Sequence, residues 1–197
     1  MNIRISNLRD QEVRVIEDAA NANNFLLVVP PVEFEITCES NGQTVSVSRF
    51  NSYVERTIPI PAGVDPSKIT TGVIINADGT FSHVPTTIII IDGVYYARIN
   101  SLTNSIYSVI YNPFTFSDLE GYWAQDMINN MGARLIVKGT DDNMYEPELD
   151  ITRAEFATMT VRALGLLPGT EPSRFWDVDS NEWYNGYIQT ATEYGLI

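Results

Sequence analysis

The chain has 197 residues, enough for one large or two small domains with real cores. Its 12 basic and 25 acidic side chains give a formal charge of −13, which argues against binding nucleic acid or an anionic membrane through a broad basic face. One cysteine excludes an internal disulfide, and one histidine with one cysteine makes neither a zinc site nor a His-dependent triad. No apolar run approaches the ~18 residues of a membrane span.

Residues 1–31 form an uncertain lead-in. Asp10–Asn21 has helix-compatible spacing through Val13, Ile16 and Ala20, but Asn21 to Asn24 is a breaker cluster, so the segment reads as a short helix or a loop. From there to residue 113 the chain reads as strands: Val32–Cys38, Gln43–Phe50, Tyr53–Ile60, Gly72–Ile75, Thr86–Ile91, Tyr95–Asn100 and Ser105–Tyr111. Turn signals separate them at Asn41-Gly42, Pro61-Ala62-Gly63, Asp78-Gly79 and Asp92-Gly93. Seven short strands with such turns predict an antiparallel, sandwich-like domain over residues 1–113. The uninterrupted Ile88–Ile91 run predicts a central strand covered on both faces. Cys38 reads as a buried spacer and His83 as a turn edge.

Asn112-Pro113 marks the boundary, because the hydrophobic period then changes from two to about 3.6. Helical patterns follow at about Trp123–Met131, Thr152–Leu166 and Glu182–Tyr194, and Trp123 to Trp183 spans 60 residues, a period typical of stacked repeats. Residues 114–197 thus predict an all-α region of helix-loop-helix units, with one complete repeat at 114–170 and the start of a second at 171–197. The whole reads as an α+β multidomain chain. Residues 114–197 carry 5 basic and 14 acidic groups, so an anion bound there must be held locally, within about a Debye length (~8 Å) of a few cations.

Thr152 and Glu155 have the spacing of a capping box, which frames the helix start. Phe156, Met159, Thr160, Ala163 and Leu164 predict its apolar face. Arg153 is needed by neither the cap nor that face, and its charge meets the positive end of the helix dipole. From charge spacing alone a surface ion pair with Asp150 or Glu148 is the favoured reading; gripping an anion with the guanidinium fork is the other. Gly139 reads as a tight-turn residue and Lys138 as a solvated cation able to assist an anion site. Trp123 and Trp183 either wall a groove or plug a helix junction, with core packing favoured. Asp141-Asp142-Asn143 and Asp177-x-Asp179-x-Asn181 invite calcium, but the second lacks the EF-hand glycine and bidentate glutamate, so no metal site is assigned. No cofactor and no catalytic residue is assigned either; abundant carboxylates are not a glycosidase site.

Phe116-Ser117-Asp118-Leu119, Tyr122-Trp123-Ala124, Gly139, Tyr145-Glu146-Pro147 and Ile151-Thr152-Arg153-Ala154-Glu155-Phe156 follow one another in the order and approximate spacing of a known module. The pattern resembles the S-layer homology repeat, and Phe175-Trp176-Asp177-Val178, Trp183-Tyr184 and Tyr187-Ile188 resemble the start of a second copy. Residues 32–113 also look like a β module often found directly before such repeats. The resemblance implies a non-enzymatic extracellular module of the Gram-positive cell wall or S-layer. Its implied partner is secondary cell-wall polysaccharide attached to peptidoglycan, often carrying pyruvate ketals, with Arg153 as the anion grip and Trp123, Trp183, Lys138 and Gly139 around it. It further implies a piece of a longer surface protein whose further repeats complete the groove, so that residues 1–197 bind polymer weakly and self-associate. The alternative is a structural or protein-interaction fragment whose β domain docks partners.

Overall fold

The structure is a computed structural model that describes residues 1–40, 42–140 and 143–197. The chain divides into two compact units, Met1–Pro113 and Phe114–Ile197. The expected turn residue Asn41 and the expected calcium residues Asp141 and Asp142 lie outside the described residues.

The first unit opens with β1 (Asn2–Asn7), α1 (Asp10–Ala22) and β2 (Leu26–Leu27). Then come β3 (Val32–Ser40), β4 (Gln43–Ser46), β5 (Arg49–Pro59), β6 (Thr71–Ile75), β7 (Phe81–Val84), β8 (Thr86–Ile91), β9 (Val94–Thr103) and β10 (Ile106–Tyr111). They build two antiparallel sheets. One has seven strands along the path β1-β3-β10-β6-β7, with β2 on β10 and β4 on β3, and the other runs β5-β9-β8. Every residue of β6 is buried, as suits a strand bonded on both sides to β10 and β7. Gly72 marks a close approach: a Cβ there would lie 2.6 Å from Thr86 Oγ1 on β8 and 3.0 Å from Ile99 on β9, so only glycine admits both.

A buried arginine ties the two sheets together. Arg56 of β5 donates to the carbonyls of Val54 (2.9 Å) and Thr103 (2.6 Å) and to Asn104 Oδ1 (3.1 Å). Its guanidinium also lies 5.0 Å from the Tyr107 ring on β10 and 5.8 Å from the Phe34 ring on β3. Burial lowers its pKa from the usual value, and neutral carbonyls and ring faces take the place of a counterion.

The second unit holds α2 (Gln125–Ala133), α3 (Arg153–Ala163) and α4 (Asn185–Glu193). These helices have only 9, 11 and 9 residues. The all-α region and the α+β class are therefore overturned: among the described residues the chain is mostly β, with ten strands and four short helices, and turn and loop fill most of residues 114–197. The reason is local. The turns after α2, α3 and α4 use left-handed residues at Leu135, Gly165 and Gly195 (φ 64°, 67° and 66°), stopping each helix after about three turns.

The segments around α2 and α4 repeat each other with a shift of 60 residues. Arg134 N bonds to Asn130 O and Ile136 N to Met131 O, matching Tyr194 N to Thr190 O and Leu196 N to Ala191 O. A core of Phe116, Leu119, Ile136 and Val137 sits under the first copy, with Phe114, Tyr122, Ile128, Tyr145, Met159 and Ala163 packed on it.

Several further expectations are corrected. The Ile88–Ile91 run lies on the sheet edge, where Ile90 is 61% exposed, because β9 takes the centre of a three-stranded sheet. His83 is buried in β7 with Nδ1 2.9 Å from Thr71 Oγ1. On α3, Phe156 is 61% exposed and the buried residues are Ala157, Thr158 and Val161. α3 packs against α4, whose buried positions include Ile188, Thr190 and Ala191. Small side chains let two helices approach closely, and the bulky Phe156 is turned outward.

Candidate functional site

Thr152 is the N-cap of α3. Its Oγ1 accepts from Glu155 N at 3.2 Å, and Glu155 Oε2 accepts from Thr152 N at 2.7 Å and from Thr152 Oγ1 at 2.7 Å. The bonds from Thr152's backbone and hydroxyl hold the Glu155 carboxyl below its usual pKa. Thr152→Ala should cost about 1 kcal/mol of stability by denaturant titration, and Thr152→Ser should be nearly silent.

The loop before α3 is held by the start of the unit. Asp118 Oδ1 accepts from Tyr145 N at 2.9 Å and its Oδ2 from Glu146 N at 2.7 Å. Asn143 donates to Thr115 O at 2.9 Å and accepts from Ser117 N at 3.0 Å. Asn143 and Glu146 are left-handed at φ 59° and 57°, conformations that these bonds must secure. Gly139 is not left-handed. It is required by proximity, since a Cβ there would strike the Met144 carbonyl oxygen and lie 2.8 Å from Phe116.

The amides of Tyr145 and Glu146 lower the Asp118 pKa, so this group contributes stability above the unfolded carboxylate pKa that is lost as pH falls through the lower, folded value. Asp118→Ala should therefore lower the unfolding midpoint at neutral pH. The gap from the parent should close as pH falls from about 4 through the carboxylate range. A gap independent of pH would show that the charge is not what holds the loop.

This framework lines a half-open cavity of about 700 Å³. Glu155, Thr158, Met159 and Arg162 line it from one face of α3, at i, i+3, i+4 and i+7. Trp183, in the turn before α4, and Tyr187, in the first turn of α4, face it, with Lys138, Gly139, Tyr145, Glu146 and Asp150 from the loop. The Arg162 guanidinium stands 4.7 Å from the Tyr187 ring centroid. Such a space, with aromatic walls, two cations and three carboxylates, has the size and mixed polarity of a sugar-binding groove, in which Lys138 and Arg162 are the groups able to meet an acid substituent.

Of the residues singled out from sequence, Lys138, Gly139, Trp183 and Glu155 line this cavity, while Arg153, Thr152 and Trp123 do not. Arg153 is exposed and makes no ion pair among the described residues, so the pairing with Asp150 or Glu148 that charge spacing alone favours is absent there. Neither tryptophan is core: Trp123 is 80% and Trp183 57% exposed, because both precede their helices in surface turns. Asp179 accepts from the backbone and side-chain amides of Asn181 at 2.8 and 3.0 Å, a local turn. Sequence reasoning missed Arg162, Tyr187 and Thr158. The available signal was the spacing of polar residues from Glu155 along α3.

The sequence profile described as the S-layer homology domain matches residues 115–157. The chain is 41% identical over 83 residues to an amylopullulanase of Thermoanaerobacterium thermosulfurigenes, covering 42% of this chain and 4% of that protein. It is 33% identical over 84 residues to the S-layer protein sap of Bacillus anthracis, covering 42% and 10%. It is also 36% identical over 69 residues to the middle cell wall protein of Brevibacillus brevis, covering 33% and 7%. The chain thus spans a tenth or less of the length of these relatives. No solved structure matches it significantly. With the profile lying across the loop and helix start that line the cavity, residues 115–157 match an S-layer homology domain, and the likeness to S-layer and cell-wall proteins supports cell-surface anchoring in general and an extracellular cell-wall or S-layer association.

Proposed function

We propose that residues 114–197 hold the chain noncovalently to an anionic secondary cell-wall polysaccharide attached to peptidoglycan, with pyruvate ketals as one source of its acid groups, and that the chain is not itself an enzyme. The observation that carries this reading is the cavity of about 700 Å³ in which two cations, Lys138 and Arg162, meet the aromatic walls Trp183, Tyr187 and Tyr145. In a region of net charge −9, and in a space that Glu146, Asp150 and Glu155 also line, an anion must be drawn by direct contact with Lys138 and Arg162 rather than by a net positive field. Relatives named as an amylopullulanase and as S-layer or cell-wall proteins each share only a small part of their length with this chain, which fits a module separable from their other activities.

Co-sedimentation of the full chain with purified walls, before and after chemical removal of the secondary polymer, tests the reading. Retention should fall severalfold when the polymer is stripped. Equal retention on stripped walls would contradict it.

In this reading Arg153 is an outer contact. Its substitution by alanine should leave stability within about 0.5 kcal/mol, as surface changes do, while weakening wall retention. Lysine should rescue only in part, because it lacks the planar fork. Unchanged retention would remove Arg153 from the site.

A further inference from the structure

We propose that the free edge of β8 is a self-docking surface, on which a second copy of this chain adds its own β8 in antiparallel register. β8 reads Thr86-Thr87-Ile88-Ile89-Ile90-Ile91 and ends its sheet, paired with β9 on one side only among the described residues. Asn100 N donates to Pro85 O at 3.0 Å, so along this register Thr87, Ile89 and Ile91 are the residues that exchange backbone bonds with β9. Ile88 and Ile90 therefore turn their N–H and C=O groups outward, and the hairpin end beside them leaves Ile90, Ile91, Val94 and Tyr95 exposed.

Other edges of the unit carry devices against such pairing. β1 presents Arg4, and β5 carries Arg49, Glu55 and Pro59 and shifts register between Arg49 and Val54. β8 has neither charge nor proline, and its register with β9 is unbroken. An uncharged, β-branched six-residue run is the kind of segment that pairs with its own copy. A two-fold axis at Ile89 sets Ile88 opposite Ile90 of the second copy, so their outward groups can bond in both directions. Ile89 then faces itself and Thr87 faces Ile91. Every opposed pair is uncharged, which suits the meeting of two chains that each carry a formal charge of −13.

The contact is small: the strand has 6 residues, joined by Val94 and Tyr95, against the ~20–30 per side of a stable interface. The dimer is accordingly weak, with a Kd on the order of 100 µM. Where copies are anchored side by side, high local concentration makes such a contact sufficient.

Sedimentation equilibrium of the full chain from about 10 µM to 1 mM tests the proposal. Wild-type protein should pass from monomer to dimer across that range. Ile90→Lys should weaken the dimer about tenfold or more at an unchanged unfolding midpoint, because the residue is 61% exposed and lysine blocks strand edges. Ile5→Lys, the same change at an equally exposed position on β1, should leave the dimer within about twofold. Residue-resolved amide exchange of the wild type needs no variant: Ile88 and Ile90 should slow as concentration rises, whereas Ile89 and Ile91, already bonded to β9, should change little.

If Ile90→Lys fails to fold, the exchange pattern decides. A strict monomer up to 1 mM, a wild-type dimer formed by Ile90→Lys, equal weakening by Ile5→Lys, or Ile88 and Ile90 amides indifferent to concentration would overturn the β8 interface. Each of these outcomes leaves the reading of the polymer site untouched.

Discussion

Arg56→Leu should destabilise the β unit by about 3 kcal/mol or more in denaturant titration, since unmet buried acceptors cost about 1–3 kcal/mol each. The substitution removes the donor to Val54 O, Thr103 O and Asn104 Oδ1 at once, and with it the cation between the Phe34 and Tyr107 rings. Arg56 is 4% exposed, so water does not readily replace those bonds. Tyr107→Phe, which keeps the ring but loses the hydroxyl's bond to Thr103 O at 2.6 Å, should cost only about 1 kcal/mol. Equal costs for the two variants would show that the guanidinium is not what joins the sheets.

Gly139→Ala should be the most damaging small change in the second unit. Its methyl group would meet the Met144 carbonyl and the Phe116 ring, and backbone cannot step aside as a flexible side chain can. Overpacking of this kind costs about 1–3 kcal/mol. Because Lys138, Tyr145 and Glu146 line the cavity beside it, the shift should also reduce wall retention. The contrast is Gly121→Ala: Gly121 is left-handed at φ 75° with nothing near its Cβ, so its cost is backbone strain at a site that does not line the cavity. Comparing retention per folded molecule separates the two. Retention as strong for Gly139→Ala as for Gly121→Ala would detach the loop from the site.

Local pattern was legible wherever local physics decides. The β-branched run Thr86–Ile91 is β8 with those bounds, and Thr152 with Glu155 marks the start of α3. What composition hides is which neighbour a segment finds. Ile88–Ile91 reads as a central strand, but strand order leaves it at an edge, and apolarity alone cannot distinguish these positions. The strands Asn2–Asn7 and Phe81–Val84 were not recognised, one with charged and polar residues among its isoleucines and the other short and carrying Ser and His. Arg56 looks like any strand arginine until Phe34 and Tyr107 close around it.

The same limit applies to the candidate site. Lys138, Gly139 and Trp183 could be picked out by motif order, because each lies at a recognisable word. Arg162 lies nine residues beyond the exposed Arg153, and only the packing of α3 on α4 brings it to Tyr187. Helical spacing puts Thr158 on its face, but that its hydroxyl lacks a partner is a property of the packed helix.

Whether wall polymer occupies this cavity can be read by hydroxyl-radical footprinting of the full chain with and without solubilised secondary cell-wall polysaccharide. The protein's three tryptophans serve as built-in reporters. Trp183 lines the cavity and is 57% exposed, whereas Trp123 and Trp176 lie outside its lining and are exposed to solvent. Polymer seated in the cavity should protect Trp183 and Tyr187 from oxidation while Trp123 and Trp176 keep their reactivity. Unchanged oxidation of Trp183 at polymer concentrations that saturate binding, or protection confined to the other two tryptophans, would contradict it.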